Sequence, residues 1–236
     1  MKQGKLKASN EGPFADLLRL VASIPGLESL RFTTSNPHDF TQPIATLFKE
    51  HPVMGEYLHL PVQSGSNKTL KVMKRKVTRK EFLERVKWLR EACPEISLST
   101  DLIVGFPGES DEDFEETLSL VKEVRFSFAY AFKYSPRKHT PAARFKDQIP
   151  EEVKTERLRK LNEALDGITI EENEKEISKT RKVLFLYESK KEKGTYYGRS
   201  RQFKLVRVKS GRNLIGMNLD VEITKSSKTA LEGILV

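Results

Sequence analysis

Short apolar segments alternate with amphipathic helices through the first 135 residues, and this alternation limits the possible folds more than any other feature of the chain. Four segments are predicted to be strands, at residues 28–35, 57–62, 96–104 and 126–134. Helices predicted between them make the pattern typical of a parallel sheet with right-handed crossovers. Since four strands are too few for a closed eight-stranded barrel, we expect a partial (β/α) barrel over residues 1–149.

Two helix starts can be located from local sequence. Thr78 with Glu81 three residues later is the pattern of a capping box, in which a hydroxyl and a carboxylate bind the free backbone N–H groups of the first turn. Val77 and Phe82 stand where a hydrophobic staple packs. Ser110 is followed by three acidic residues, which suit the positive end of a helix dipole. We expect both helices to begin at these caps.

The pattern changes after the partial barrel. A long connecting helix is predicted over residues 150–178, with an apolar stripe at Leu158, Leu161, Leu165 and Ile168. Short β-rich segments separated by glycine-containing turns then predict a small antiparallel barrel of five strands over residues 179–236. The predicted fold class is therefore α/β, with a partial parallel (β/α) barrel followed by a small antiparallel β-barrel.

The positive charge of the chain is confined to one end. The net charge is +9, and residues 179–236 hold 14 basic and 5 acidic residues, so the remainder of the chain is neutral. Such asymmetry favours contact between this end and a polyanion. A lysine-rich solubilising surface is the alternative interpretation.

Composition excludes several classes of protein. No segment approaches the roughly 18 apolar residues of a membrane-spanning helix. The opening residues, MKQGKLKASNEG, lack the apolar block of a signal peptide. A single cysteine, Cys93, excludes an internal disulfide. These features predict a cytoplasmic protein without membrane association.

Polar or glycine-rich segments follow the predicted strands at the edge where parallel α/β sheets bind ligands. They lie at residues 33–37, 61–66, 105–109 and 134–137. Together they predict a pocket, although one such turn alone would be an ordinary strand-to-helix connection. Their hydroxyl and amide groups suit hydrogen bonds to a ribose, an amino acid or a nucleobase.

No catalytic or metal-binding set stands out in the sequence. The four histidines are scattered, and His59 lies inside a predicted strand, where we expect it to be packed. There is no Ser/His/Asp arrangement, no metal-ligand spacing and no GxxxxGK[ST] phosphate loop. The sequence therefore predicts no metal site and leaves the catalytic residues unassigned.

Several motifs resemble a known family. HLPVQSGSNKTLKVMKRKVTRKEFLERV at 59–86 and STDLIVGFPGESDEDFEETLSLVKEVRFSFAYAFKYSPRKHTPAA at 99–143 are similar to the tRNA methylthiotransferases of the radical SAM superfamily. RFTTSNP at 31–37 is most similar to the MiaB-type branch, which modifies N6-isopentenyladenosine next to the tRNA anticodon. YYGRSRQFKLV and LIGMNLDVEIT resemble a TRAM domain, an RNA-binding β-barrel.

This resemblance implies a cofactor and a set of contacts for it. The family uses S-adenosylmethionine and two [4Fe–4S] clusters to add a methylthio group to C2 of the adenine. Protein groups position and shield such cofactors. Matched position by position, the residues expected at the S-adenosylmethionine site are Gln63, Ser64, Asp101, Ile103, Gly105, Gly108, Phe132 and Tyr134.

The resemblance also implies a tRNA partner, contacted at its anticodon stem-loop. Basic residues interleaved with aromatics in the tail suit phosphate contacts and base stacking. The residues expected to bind RNA are Lys190, Lys191, Arg199, Arg201, Phe203, Lys204 and Arg207. For Phe203, packing in the barrel core is an equal alternative.

One departure from the family affects activity. The family binds its radical cluster with CxxxCxxC and a second cluster with three further cysteines, whereas Cys93 is the only cysteine here. We therefore expect a chain that begins after the second barrel strand, lacks the N-terminal half of the enzyme and is inactive in isolation. The alternatives are a non-catalytic RNA-binding module, or a branch acting on threonylcarbamoyl-adenosine or on a ribosomal-protein aspartate.

Overall fold

A computed structural model describes residues 11–34 and 36–236. Ser35 of RFTTSNP and the first ten residues, where no signal peptide was predicted, lie outside the described residues. Six α-helices are described: α1 Pro13–Ala22, α2 Gln42–Glu50, α3 Asn67–Val72, α4 Arg79–Ala92, α5 Asp111–Val124 and α6 Glu151–Glu174. Eight strands are described: β1 Tyr57–His59, β2 Ser97–Val104, β3 Phe128–Lys133, β4 Thr180–Glu188, β5 Thr195–Ser200, β6 Leu205–Lys209, β7 Asn218–Ser226 and β8 Leu231–Leu235.

The first sheet is parallel, as predicted, but among the described residues it has three strands in the order β1-β2-β3. The strand predicted at residues 28–35 is wrong over its described part, residues 28–34. There, only isolated bridges form, from Leu30 to Met54 and from Thr33 to His59. The Thr34 hydroxyl donates to the His59 carbonyl oxygen at 2.9 Å, so a side chain takes the place of a backbone donor there.

β1 is shorter than predicted because its ladder ends near a proline. Pro61 has no N–H group to donate. The next backbone donor, Val62 N, binds the Thr100 hydroxyl oxygen at 3.0 Å instead of a strand carbonyl. The regular ladder therefore ends at His59, and the loop that follows returns to β2 at Gln63 through an isolated bridge.

The helices cover one face of the parallel sheet. Leu58, Leu98 and Leu102 point to that face and are buried with Phe82 of α4 and with Phe126. Alternate residues point to the opposite side, which we call the inner face: Tyr57, His59, Ser99, Asp101, Ile103, Phe128, Tyr130 and Phe132. The inner face therefore carries the side chains that the helical core leaves free.

Both predicted caps are confirmed. Thr78 N donates to Glu81 Oε2 at 2.7 Å, and Ser110 N donates to Asp113 Oδ2 at 2.8 Å, with the reciprocal side-chain bonds present in each case. Caps of this kind stabilise a helix by about 1 kcal/mol. They set the first turns of α4 and α5.

The C-terminal strands close into a barrel in the order β4-β5-β6-β8-β7, so the closed five-stranded barrel is confirmed. It is not wholly antiparallel as predicted, because β6 and β8 pair in parallel. It has its own apolar core, which includes Val183, Phe185 and Ile223. The segment 197–208, expected to be one β-rich stretch, turns at residues 201–204 and contributes to two strands, β5 and β6. Gly198 permits close strand approach, because an added Cβ would lie 2.5 Å from Leu184 O.

Helix α6 packs on the sheet and reaches the barrel. Leu161, Leu165 and Ile168 of its predicted stripe are buried in the core of the sheet. Near its end, Asn173 Nδ2 donates to Ser227 O at 2.8 Å, which connects the helix to the barrel. Among the described residues, no helix is both long and apolar enough to cross a membrane.

Candidate functional site

A cavity of about 720 Å³ lies at the carboxyl ends of β1, β2 and β3. Four of the eight residues predicted at a cofactor site line it: Gln63, Ile103, Phe132 and Tyr134. Phe106 packs edge-on against Tyr134, with ring centroids 5.0 Å apart. The cavity therefore has aromatic and aliphatic walls at the sheet edge where the sequence predicted a pocket.

The loop after β1 brings Gln63 over β2. Its backbone N–H donates to Asp101 O, and its carbonyl accepts from Ile103 N, both at 2.9 Å. Gln63 has a φ of 79°, a left-handed conformation that is uncommon for a residue with a side chain. Paired hydrogen bonds to β2 on both sides of the residue hold this conformation at the cavity wall.

Ser64 has a different place from the one its predicted role suggests. It is fully buried, and its Oγ lies 3.2 Å from the Thr117 hydroxyl oxygen on α5. The same Thr117 oxygen accepts from Gly65 N at 2.9 Å. Ser64 therefore anchors the loop to α5 and does not line the cavity.

A buried acid holds the next turn of this loop. Asp113 accepts from the Ser66 hydroxyl at 2.6 Å and from Lys68 Nζ at 2.8 Å. Partial burial alone would raise the pKa of Asp113, but the hydrogen bonds from Lys68, Ser66 and Ser110 outweigh it and lower the pKa to about 2. The ionised carboxylate therefore ties the start of α3 to the start of α5.

The glycines after β2 face α6 and the segment just before it rather than the cavity. Gly105 has a φ of 70° and Gly108 a φ of 80°. A Cβ added at Gly105 would collide with the Lys154 side chain, and one at Gly108 would collide with the Asp147 carboxylate. These glycines permit a left-handed turn and close approach of neighbouring segments.

A buried carboxylate fixes the same turn from inside. Glu109 Oε1 accepts from Gly105 N and from Arg157 Nη1, each at 2.7 Å. Burial raises the pKa of Glu109, while the Gly105 N–H and the Arg157 guanidinium act in the opposite direction. Arg157 also binds Asp111 at 2.7 Å, so α6 holds both the turn and the first residue of α5.

Asp101 lies on the inner face, outside the cavity lining. Its Oδ1 is 3.4 Å from His59 Nε2, and the other ring nitrogen of His59 is 2.8 Å from Ser99 Oγ. The same Ser99 oxygen is 2.7 Å from Tyr57 Oη. Burial raises the pKa of Tyr57, so its hydroxyl stays protonated at neutral pH. A row of polar groups thus runs from Tyr57 to Asp101.

The turn between β5 and β6, residues 201–204, contacts the amino-terminal edge of the parallel sheet. Phe203 stacks on Tyr57 with ring centroids 4.7 Å apart. Arg201 binds Glu56 at 2.8 Å, and Lys204 Nζ donates to Asn173 Oδ1 at 2.7 Å. Phe203 is therefore packed between the barrel and the sheet, and Arg201, Phe203 and Lys204 all make intramolecular contacts.

The other residues predicted to bind RNA are more accessible. Lys190 and Lys191 are exposed in the connection between β4 and β5. Arg207 pairs with Glu232 of β8. The Arg199 guanidinium lies 4.5 Å from the centre of the Phe203 ring, and Arg199 forms no ion pair with a described acidic side chain. The predicted set is thus divided between an exposed barrel surface and the junction with the sheet.

Sequence reasoning missed two residues of this region. Arg75 is half-buried and lines the cavity. Burial lowers the pKa of its guanidinium, whereas the charge of Asp101 acts to raise it. Within the described chain, its guanidinium has neither a hydrogen bond nor an ion pair. Tyr130 is 55% exposed on the inner face. Its alternation with Phe128 and Phe132 along β3 could have indicated an open sheet face.

The protein residues do not fit an iron–sulfur cluster. Cys93, the only cysteine of the chain, is half-buried at the end of α4. Burial raises the pKa of its thiol to about 11, whereas a cluster ligand must be a thiolate. No group of three or more His, Cys, Asp or Glu side chains that could hold a metal ion occurs in the part of the chain that the structure describes.

Residues 10–121 match the family model of the radical SAM superfamily. The chain is 44% identical, over 94% of its length, to the tRNA-2-methylthio-N(6)-dimethylallyladenosine synthase of Carboxydothermus hydrogenoformans. Proteins of the same name from Geotalea uraniireducens and Rickettsia rickettsii are 42% and 45% identical over 97% and 98% of the chain. The chain spans about half the length of these relatives, 51% to 52%.

A solved structure supports the fold. Coproporphyrinogen III oxidase from Escherichia coli, a radical SAM enzyme, aligns with 94% of this chain and 55% of its own, with a TM-score of 0.52. The sequence identity is 16%, so this likeness concerns the fold alone.

Proposed function

Because this chain is a relative of the radical SAM tRNA methylthiotransferases, we propose that it provides the S-adenosylmethionine cavity and the RNA-binding barrel of such an enzyme. The proposed reaction adds a methylthio group to C2 of N6-isopentenyladenosine next to the tRNA anticodon. The observation that carries the proposal is the 44% identity to a named synthase across 94% of the chain. A tRNA-modifying role makes the cytoplasm the proposed location.

The cavity residues fit S-adenosylmethionine, which supplies a transferable methyl group and the starting point of radical chemistry. Ile103 and Phe132 offer apolar walls for a flat adenine ring. Tyr134 Oη is buried and has no hydrogen-bond partner in the described part of the chain, so a polar ligand atom would satisfy it. Arg75 offers a cation for the carboxylate of the methionine moiety.

The chain's own residues bind and orient the cofactor. Gln63 projects from a conformation held by two backbone hydrogen bonds, which gives its amide a defined position at the cavity wall. The Glu109–Arg157 pair keeps the turn after β2 in place. Gly105 and Gly108 contribute through that turn, and Ser64 through the anchored loop.

The cluster ligands are not among these residues, and we derive no step through a cluster. One protonated thiol at the end of α4 cannot replace the three or four thiolates that such a cluster needs. We therefore propose that the isolated chain binds S-adenosylmethionine and RNA without turnover. The cluster ligands would come from a different polypeptide segment. The N-terminal half of the relatives is the candidate for that segment.

The barrel is proposed to bind the anticodon stem-loop of tRNA. The chain's entire excess of positive charge lies in residues 179–236. Lys190 and Lys191 are exposed there and free to contact phosphates. Tyr187 and Tyr197 stack at 5.4 Å on the outside of the barrel and add an aromatic surface beside these lysines along the chain.

Calorimetric titration of S-adenosylmethionine into the chain tests the proposal. The Ile103→Trp protein, whose larger side chain fills the cavity, should bind at least about tenfold more weakly, a loss of about 1.4 kcal/mol. Ile215→Trp, at an exposed barrel position, is the matched control and should bind like the original protein. If the original chain binds tRNA but no S-adenosylmethionine, it is a non-catalytic RNA-binding module.

A further inference from the structure

The inner face of the parallel sheet carries an aromatic side chain that the core does not use. Tyr130 stands on β3 directly beside Asp101 of β2, and 55% of its surface is exposed. Phe128, the preceding residue on the same face, packs edge-on against the Tyr130 ring at 5.6 Å. The His59 ring makes a second edge contact at 6.3 Å. Tyr130 is thus held by neighbouring rings while much of its surface remains open.

An exposed aromatic ring on a sheet face is suited to a specific kind of ligand. Burial of a flat apolar ring is favourable, so leaving one in water on a concave face is costly unless something covers it. Sheet-based RNA-binding domains use such rings to stack unpaired bases. Stacking of a base on an aromatic side chain contributes to affinity and tolerates any base, because every base has a flat face.

Asp101 lies next to this ring and is partly exposed. Its Oδ1 is 3.4 Å from His59 Nε2, and His59 Nδ1 is 2.8 Å from Ser99 Oγ, which is 2.7 Å from Tyr57 Oη. No described residue donates a hydrogen bond to the Asp101 side chain, so its carboxylate oxygens can accept from a ligand.

Two arginine side chains that form no ion pair with a described residue lie at the other end of this row. Arg31 and Arg199 lie 5.5 Å and 4.5 Å from the Phe203 ring centre, and neither forms an ion pair with a described acidic side chain. Arg31 Nε is buried without a hydrogen-bond partner in the described chain. Burial lowers the pKa of Arg31, and the neighbouring Arg201 and Arg199 charges lower it further. An anion at this position would relieve the repulsion.

We propose that the inner face is a subsite for one unstacked purine nucleotide of an RNA ligand. Its base stacks on Tyr130, and its exocyclic amino group donates to Asp101. The adjacent phosphate approaches Arg199 at the junction of sheet and barrel. Asp101 is the specificity-determining residue because it accepts from an amino-bearing base and rejects one without a donor.

This subsite rests on the proposed function only for the class of ligand, which is RNA. It is separate from the cofactor cavity, whose lining does not include Asp101 or Tyr130. It lies between that cavity and the barrel, so an RNA bound to the barrel would place one base next to the cofactor.

The test uses fluorescence anisotropy of a hairpin RNA with one variable unpaired loop position. Two RNAs are compared, one with adenosine there and one with purine riboside, which differs only by the missing amino group. The original chain should bind the adenosine RNA about tenfold more tightly, the effect of about 1.4 kcal/mol expected for a hydrogen bond to a charged group. Asp101→Ala should abolish this preference.

Tyr130 variants give the second readout. Tyr130→Ala should weaken the binding of both RNAs about tenfold and keep the preference for the adenosine RNA. Tyr130→Phe, which retains the ring, should bind both RNAs like the original chain. Matched controls are Glu91→Ala on α4 and Phe14→Ala on α1, an aromatic residue that is 41% exposed outside the sheet. Both controls should leave binding and preference unchanged.

The subsite is refuted if Asp101→Ala keeps the preference, or if Tyr130→Ala binds both RNAs like the original chain. Either result leaves the proposed function intact, since binding through the barrel and the cofactor titration would be unaffected. If the original chain binds neither hairpin, the subsite and the RNA part of the proposed function both fail. The S-adenosylmethionine titration then decides separately whether the cofactor part stands.

Discussion

At the residue scale, Asp113 makes stability depend on pH. It is buried among Ser66, Lys68 and Ser110, and its pKa of about 2 lies below the usual value of 3.8. Because the folded-state pKa is the lower one, the unfolded chain binds more protons between these values. The stabilisation is therefore fully present above about pH 4 and is lost as the pH falls toward about 2.

Asp113→Asn should reduce the free energy of unfolding by about 1–3 kcal/mol at pH 7, because it removes a charged partner from buried donors. The difference from the original protein should shrink steadily between about pH 4 and about pH 2. Urea denaturation at several pH values measures it, with Glu115→Gln on the exposed side of α5 as control. A deficit that is equally large at pH 2 would rule out this electrostatic account.

Gly105 is a second residue with a defined requirement. Its φ of 70° is strained for any other residue, and an added Cβ would collide with Lys154. Gly105→Ala should destabilise the protein by about 1–3 kcal/mol. The double variant with Lys154→Ala removes the collision but not the strain, so it should recover only part of the loss. Thermal unfolding of the three proteins measures this, and complete recovery would show that strain is negligible.

At the element scale, the β5–β6 turn connects the barrel to the sheet. Phe203 has a φ of 64° and stacks on Tyr57, while Arg201 donates to Met54 O at 2.8 Å and binds Glu56. Conformation, stacking and ion pairing at adjacent positions make this turn a polar and aromatic contact between barrel and sheet. The orientation of the barrel therefore depends on a few side chains.

Phe203→Ala should loosen the barrel and lower the free energy of unfolding by about 3 kcal/mol, as for removal of a packed aromatic side chain. Limited proteolysis should cut the chain faster between α6 and β4 in this variant. RNA binding should fall less than in a Lys190→Glu, Lys191→Glu protein, since those lysines face solvent. Equal protease resistance of the variant and the original chain would contradict the role of this turn.

Structural elements defined by neighbouring residues were predicted well from the sequence. Elements that depend on pairing with distant residues were not. The caps at Thr78 and Ser110 involve residues three apart, so the sequence contains the complete interaction. The segment 28–35 has strand-like composition, yet its pairing depends on residues 54–59, whose backbone groups are partly satisfied by the Thr34 hydroxyl. Composition could not reveal that competition.

The candidate site shows the same division. Gln63 follows a predicted strand, and Ile103, Phe132 and Tyr134 lie near the ends of two others. The family resemblance implied all four at the cofactor site, and the structure brings them together around the cavity. Ser64 follows Gln63 directly and Gly108 lies two residues after the lining residue Phe106, yet they face α5 and Asp147. The direction in which a loop side chain points depends on the partner packed behind it, and a single sequence does not show that partner.

At the scale of the whole molecule, the proposed cofactor and RNA sites lie in different layers. The cavity belongs to the parallel sheet, and the excess charge belongs to the barrel. The turn at 201–204 and the end of α6 connect the two layers. Under our proposal, an RNA bound to the barrel would meet the inner face of the sheet.

The chain alone should not assemble an iron–sulfur cluster. Anaerobic reconstitution with iron and sulfide, followed by desalting, should leave less than about one tenth of a cluster per chain, because a stable cluster needs several thiolates. Cys93→Ser should give the same background value. A stoichiometric iron–sulfur absorption spectrum from the original chain would contradict the assignment of Cys93 as a buried, protonated thiol.

We propose that this chain has separate sites for S-adenosylmethionine and tRNA. Parallel titration of both ligands into two variants distinguishes two separate sites from one shared site. Ile103→Trp should weaken the binding of S-adenosylmethionine and leave the affinity for the anticodon stem-loop unchanged. Lys190→Glu, Lys191→Glu should keep S-adenosylmethionine and lose most RNA affinity, with a shallower dependence on salt by about two phosphate contacts. The claim is contradicted if either variant loses both ligands while remaining folded, or if neither variant loses any.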